Sequence, residues 1–195
     1  MSVTHRSDWR IVDIVVAAVV AVAFGVVFLA WNALYAATVP IFAFLPPAQA
    51  ILYGVWLLPA VLVGLIVRRP GAALFGGLVS AAVSVLLGSP YGPDALISGT
   101  VQGGGAELAF AIGLYRWWNL PIAVLAGGLS GLAAAIHDLV VYYPAAGVEF
   151  QAVYVAATVA SGAAVAGLGG WLLLRALTAT GVLHEFAAGR DQPEV

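Results

Sequence analysis

The sequence predicts an all-α, polytopic membrane protein: one transmembrane domain over residues 1–195, with six transmembrane helices and both termini cytoplasmic. Three observations carry this. Apolar residues make up 63% of the chain and charged residues 8%, with a mean hydropathy of +1.05, more apolar surface than a soluble domain of 195 residues could cover with polar groups. The apolar residues fall into six runs, 11–36, 47–67, 72–88, 97–115, 120–142 and 151–177, each long enough to cross a bilayer with some tilt. The cations then alternate. There is no lysine, and the arginines at 6 and 10, at 68 and 69, at 116, and at 175 and 190 fall on one side of a six-span chain; by the positive-inside rule that side is the cytoplasm.

The elements follow in order. A short polar head ends in Trp9 and Arg10, which suit a membrane interface, and because the first run follows mixed charges nothing in it reads as a cleavable leader. Span one carries a stripe of small residues, Ala17, Ala21 and Gly25, that would let another helix approach closely, and the same stripe continues into Asn32 and Tyr35. Prolines 40, 46 and 47 separate it from span two, where Gln49, Tyr53 and Trp56 recur at one-face helical spacing. Pro70-Gly71 and the run SPYGP at 89–93 bound span three, which carries Ser80 and Ser84. Span five carries His137 and Asp138, and span six places Gln151, Tyr154, Thr158 and Ser161 on one face. With the arginines inside, these polar residues gather in the outer halves of the spans, which predicts a polar cavity opening outward over an apolar floor.

Span four carries the most specific stretch, TVQGGGAELAF at 100–110. Glu107 lies nine residues before Arg116, or ~13 Å of helical rise, which places a carboxyl near the bilayer midplane. A charge there is costly enough to read as functional. Gln102 and Glu107 stand ~140° apart on a regular helix, so they would address one cavity only if Gly103, Gly104 and Gly105 distort the backbone between them. The candidate substrate-binding residues are therefore Glu107, Gln102, Trp56, Tyr53, Asn32, Tyr154, Gln151 and His137. Trp31, Tyr35, Tyr142 and Tyr143 read as interface-belt aromatics, and Asp138 as a polar cap or loop anchor. His137 and Asp138 are adjacent and diverge by ~100°, so they form no chelating pair. The chain contains no cysteine, Walker A run, nucleophile elbow or zinc motif, and no basic stripe for nucleic acid.

The runs YGVW at 53–56, RRPGAA at 68–73, LGSPYGP at 87–93, VQGGGAE at 101–107 and TGVL at 180–183 resemble the YkoE-type substrate-binding (S) components of energy-coupling factor (ECF) vitamin transporters. The resemblance spans about residues 10–187. It implies a six-helix subunit, not itself an enzyme and without a cofactor, that sits in the cell membrane and captures thiamine or its hydroxymethylpyrimidine precursor from outside. Its partners would be the lipid bilayer, a transmembrane coupling protein and two cytoplasmic ATPases, with Ala17, Ala21 and Gly25 as the docking surface on span one. Related sequences have been labelled cobalt permeases, but the cobalt- and nickel-type subunits carry a histidine directly after the initiator methionine, where this chain has Ser2. Thiamine-type relatives carry glutamates on span three where this chain has Gly77 and Ser84, which keeps neutral hydroxymethylpyrimidine open as the ligand. The rival readings are an S component for another small ligand, including a cobalt-type importer, a stand-alone channel or facilitator, and an intramembrane enzyme using Glu107 and His137.

Overall fold

The computed structural model describes residues 9–183 and 186–190, so Ser2 and Arg6 lie outside the described residues. All regular structure among the described residues is helical. The elements are α1 (Ile11–Ala37), a 3₁₀ segment (Pro46–Leu52) leading into α2 (Gly54–Val67), α3 (Ala72–Leu86), α4 (Asp94–Ile112) and α5 (Leu120–Val141). There follow α6 (Val148–Ser161), which continues through a π-helical stretch (Gly162–Gly169) into α7 (Gly170–Ala179), and a last turn, α8 (Ala187–Arg190). Four segments, Ile11–Ala37, Pro46–Val67, Leu120–Val141 and Val148–Ala179, are long and apolar enough to cross a membrane; α3 is shorter, and α4 is more polar. A helix is what such runs must form in lipid, where each backbone N–H and C=O has to be satisfied within the segment.

Local chemistry sets the ends. Asn119 caps α5 by accepting from the Ile122 N–H at 3.1 Å, with Pro121 in the first turn where its missing N–H costs nothing. Pro46 and Pro47 start the 3₁₀ segment, whose tighter winding departs from the regular helix expected over 47–67. It puts Gln49 against the end of α1, donating to the Tyr35 carbonyl at 2.7 Å and to Thr38 Oγ1 at 3.0 Å, and away from the face shared by Tyr53 and Trp56.

The middle of the bundle is α2, in which every residue from Pro59 to Val67 is buried. At one end the arginine-bearing turns meet: Trp9 Nε1 donates to the Pro70 carbonyl at 3.0 Å, Arg69 lies 4.0 Å from Asp13, and Arg68 stands over the Trp118 ring at 5.7 Å. That contact joins the start of α1, the α2–α3 turn and the α4–α5 turn on one face.

Two expectations are corrected here. The stripe Ala17, Ala21, Gly25 is buried within the subunit, at 1% and 0% exposure for the two alanines, and not presented to another protein. A Cβ at Gly25 would stand 2.5 Å from Val83 Cβ and 3.0 Å from the Ser80 carbonyl, so the small residues serve the approach of α1 to α3. The outward face of α1 is instead made by larger residues, Val15, Val19, Val22 and Val26. The three glycines of α4 do not distort it either, since Asp94–Ile112 is one regular helix. Gly103 and Gly105 serve close packing on two sides: a Cβ would meet Leu74 Cα at 2.9 Å from the first and the Leu129 carbonyl at 2.5 Å from the second.

Candidate substrate-binding site

Away from the arginine end, α1 to α6 enclose a cavity of about 200 Å³. Helix directions order its walls by depth. Along α4, Asp94, Ser98 and Gln102 line it at successive turns, so the carboxylate of Asp94 stands ~12 Å of helical rise from the amide of Gln102. Phe28, Gly77, Ser80 and Gln102 form the deep end; Ser89, Tyr91, Tyr142 and Tyr143 form the rim, where all three tyrosines are at least 38% exposed.

One side is an aromatic wall built on Trp56. Its ring centroid is 4.9 Å from Tyr35, 5.1 Å from Tyr53 and 6.1 Å from Tyr91, and its Nε1 donates to Asn32 Oδ1 at 3.0 Å. That bond fixes the indole plane and uses up its only donor, leaving the ring available for stacking. The opposite side is polar. Gln102, 7% exposed, donates to Ser98 Oγ at 2.6 Å, while Ser130 bonds the Gln102 backbone carbonyl at 2.9 Å. Gln102 therefore keeps its side-chain carbonyl as a free acceptor toward the cavity among the hydrogen bonds described here.

The rim holds the charge. Asp138 is 4% exposed, lines the cavity, and accepts from Tyr154 through Oδ2 at 2.6 Å. Asp94 accepts from Tyr142 through its own Oδ2. His137 lies behind both, with Nδ1 3.1 Å from Asp138 Oδ1 and Nε2 3.3 Å from Asp94 Oδ1. At the mouth, partial burial and the Asp138 carboxylate push the Tyr91 phenol up to about 12, so it offers a neutral hydroxyl.

Of the residues singled out from the sequence, Asn32, Tyr53, Trp56, Gln102 and Tyr154 lie together on the cavity wall, and Glu107, Gln151 and His137 do not. Glu107 is not a midplane ligand group. It accepts from the Gly71 N–H at 2.6 Å and the Ala73 N–H at 2.9 Å, the start of α3, and from the Tyr115 hydroxyl at 2.8 Å. The spacing to Arg116 does not measure depth, because α4 stops at Ile112 and the chain turns back through Leu114 and Tyr115, both at φ 53°, which puts Arg116 beside the helix end and not a further turn along it. Gln151 donates to the Ala146 carbonyl at 2.9 Å and faces the lipid-side groove between α5 and α6. Asp138 and Tyr35, Tyr142 and Tyr143 stand on the cavity wall, where a loop anchor and belt aromatics were expected. The signal that could have found them is Asp138 itself: an unpaired acid in the outer turns of an apolar helix needs a polar cavity or a partner.

Gly77 also lines the cavity, but a Cβ there would meet the Gly99 carbonyl at 2.5 Å, so no side chain fits on α3 at that point. The carboxylates that reach this cavity come from α4 and α5. Among the described residues no group of three or more His, Asp or Glu side chains is placed to hold a metal ion.

Six helices around a buried polar pocket define a small-ligand-binding membrane subunit with this fold. A solved structure described as an S-component of an ECF transporter superposes with a TM-score of 0.89 at 34% identity, covering 94% of this chain and 93% of that one. The family model described as ABC-type cobalt transport system, permease component, matches residues 12–133. The chain is also 35% identical over 185 residues to the putative HMP/thiamine permease protein YkoE of Bacillus subtilis (strain 168), covering 94% of this chain and 92% of that protein. The chain thus belongs to the family of ECF-type permease S components typified by YkoE, and is a multi-pass, non-enzymatic membrane transport subunit.

Proposed function

We propose that this subunit captures thiamine or its hydroxymethylpyrimidine half from outside the cell and hands it to an ECF module of a transmembrane coupling protein and two ATPases. The observation that carries the ligand class is the division of one cavity into an aromatic-and-amide interior and a carboxylate rim. A volume of about 200 Å³ compares with the ~150 Å³ that accepts a benzene ring, so the interior takes one substituted aromatic ring. An aminopyrimidine stacks on Trp56 and Tyr53, donates its amine to the side-chain carbonyl of Gln102 and accepts at its ring nitrogen from the Ser98 hydroxyl, whose oxygen accepts from Gln102 and whose proton is free, whereas Ser80 already donates to the Gly76 carbonyl. A thiazolium, joined to it, would lie toward the rim beside Asp138 and Asp94, and the free pyrimidine would use the interior alone. The name of the matched protein, putative HMP/thiamine permease protein YkoE, supports the same ligand.

The matched family description favours a second reading, a cobalt permease. Divalent cobalt requires several converging imidazole or carboxylate donors, and among the described residues no group of three or more His, Asp or Glu side chains is placed to hold a metal ion, while each rim carboxylate already accepts from a tyrosine. The vitamin reading is therefore preferred. Calorimetry on the purified subunit with thiamine, hydroxymethylpyrimidine, isolated thiazole and cobalt chloride tests it. The expected order is thiamine, then the pyrimidine, with no heat from cobalt; Trp56→Ala should weaken both organic ligands by about ten- to hundredfold through loss of ring stacking and of the apolar area it covers. Binding of cobalt but of neither pyrimidine compound would replace the reading.

A further inference from the structure

We propose that the mouth of the cavity accepts the free alcohol and rejects its phosphate ester, so that the subunit selects the unphosphorylated pyrimidine. The inference rests on the vitamin reading and adds to it a choice between two forms of one ligand. Proteins hold a phosphate ester with arginine or lysine, with converging backbone N–H groups, or with a helix N-terminus. The mouth supplies none of these. Among the described residues no arginine or histidine lines the cavity, and the sequence contains no lysine. Arg10, Arg68, Arg69, Arg116 and Arg175 lie on elements at the far end of the bundle. His137 stands behind the rim, with Nδ1 3.1 Å from Asp138 Oδ1.

The donors near the mouth are spent. In the turn over it, the N–H groups of Gly88, Ser89 and Gly92 donate to backbone carbonyls, and that of Tyr91 lies 3.4 Å from Ser89 Oγ. The N-terminus of α4 reaches the mouth, but an acid, Asp94, already stands in its first turn and lines the cavity. The Tyr142 and Tyr154 hydroxyls donate to Asp94 and Asp138. Tyr91 and Tyr143 keep a hydroxyl each on the cavity wall. One phenol satisfies the oxygen of a neutral alcohol. Three phosphate oxygens need more donors than this, and the carboxyl oxygens beside them are acceptors too.

Covalent structure fixes where each phosphate falls. In hydroxymethylpyrimidine phosphate, the exocyclic carbon that carries the thiazolium of thiamine carries the phosphate instead, which therefore takes the thiazolium's place beside Asp94 and Asp138. In thiamine monophosphate the phosphate ends a two-carbon arm beyond the thiazolium and reaches water outside the mouth. Both esterifications add the same charge, close to two negative units at neutral pH, so comparing them isolates position. A place in a reaction sequence follows. The pyrimidine phosphate must first meet a phosphomonoester hydrolase on the capture side, where water cleaves the ester to the alcohol and inorganic phosphate.

Calorimetry on the purified subunit at pH 7.5 with hydroxymethylpyrimidine, its phosphate, thiamine and thiamine monophosphate is the test. The pyrimidine phosphate should bind about ten- to hundredfold more weakly than the free pyrimidine, the factor that follows from leaving a charged group without hydrogen-bond partners. Thiamine monophosphate should stay within about fivefold of thiamine. Tyr143 is exposed at the mouth and packs on Phe150 and Tyr154, with ring centroids 5.0 and 5.4 Å away. Tyr143→Arg keeps a planar group there and adds a cation, so it should recover at least fivefold of the loss for the pyrimidine phosphate. Wild-type affinity for the pyrimidine phosphate within threefold of the free pyrimidine overturns the proposal, whether or not the variant folds. Equal losses for the two esters also overturn it, because the rejection would then follow total charge and not the rim. If neither thiamine nor the pyrimidine binds, the vitamin reading falls and this inference falls with it.

Discussion

Glu107 sits where the first N–H groups of α3 converge, and its bonds to Gly71, Ala73 and Tyr115 tie three elements together at the arginine end of the bundle. A carboxylate at a helix N-terminus satisfies donors that have no partner within the helix and meets the positive end of the helix dipole. Its loss should therefore be felt in stability and not in ligand affinity. Charged hydrogen bonds of this kind are each worth about 1.5–3 kcal/mol, and since Glu107 is only half-buried the lower end applies: Glu107→Ala should destabilise the detergent-solubilised subunit by about 1–2 kcal/mol in thermal or denaturant unfolding. Calorimetry with thiamine should give an affinity within threefold of wild type. A large loss of affinity with unchanged stability would return Glu107 to the binding site. The sequence made this acid conspicuous through its cost in lipid, but cost alone does not separate a ligand contact from a cap. What separates them is where α4 ends, and that depends on two residues in the left-handed region, Leu114 and Tyr115, whose types do not announce it.

At the scale of elements, small residues decide which helices touch. Ala17, Ala21 and Gly25 bring α1 onto α3, and the same face carries Phe28 and Asn32 to the cavity wall, so the α1–α3 contact and the shape of the site are one structure. Gly25→Leu would drive a side chain into Val83, a case of overpacking that costs about 1–3 kcal/mol or shifts α1. The expected result is loss of thiamine binding by the isolated subunit, through displacement of Asn32 from Trp56, which calorimetry reads directly. Normal binding with loss of uptake alone would restore the stripe as a docking surface. The spans were legible because apolar runs of this length have one solution in lipid; the face each small-residue stripe presents was not, because Ala-xxx-Ala spacing is the same whether the partner helix belongs to the chain or to another protein. The cavity walls were half legible for a similar reason. Tyr53, Trp56 and Tyr154 stand deep enough in their apolar spans to be distinguished from interface aromatics, whereas Tyr35, Tyr142 and Tyr143 sit at helix ends, where a belt and a rim look alike.

At the scale of the whole molecule, the arginines and the cavity occupy opposite ends, and the direction of capture depends on which end faces the cytoplasm. The contacts of Trp9 with Pro70, Arg69 with Asp13 and Arg68 with Trp118 bring the arginine-bearing turns to one face, a geometric condition that the positive-inside argument requires. The other face carries Asp94, Asp138 and Glu149 and the tyrosine rim. A chain inserted the opposite way would leave all seven arginines of the sequence to be translocated and would open the cavity to the cytoplasm, where a capture subunit has no use for it. The absence of cysteine makes the test direct, since any single cysteine stands alone in the native sequence. Ala145→Cys lies on the exposed α5–α6 turn beside the rim, and Trp117→Cys replaces a residue 61% exposed on the α4–α5 turn next to Arg116. An impermeant maleimide added to intact cells should label the first and leave the second unlabelled until the membrane is permeabilised, and saturating thiamine should not change either result, because neither position lines the cavity. The reverse pattern would turn the molecule over and make the same cavity a site for cytoplasmic ligand.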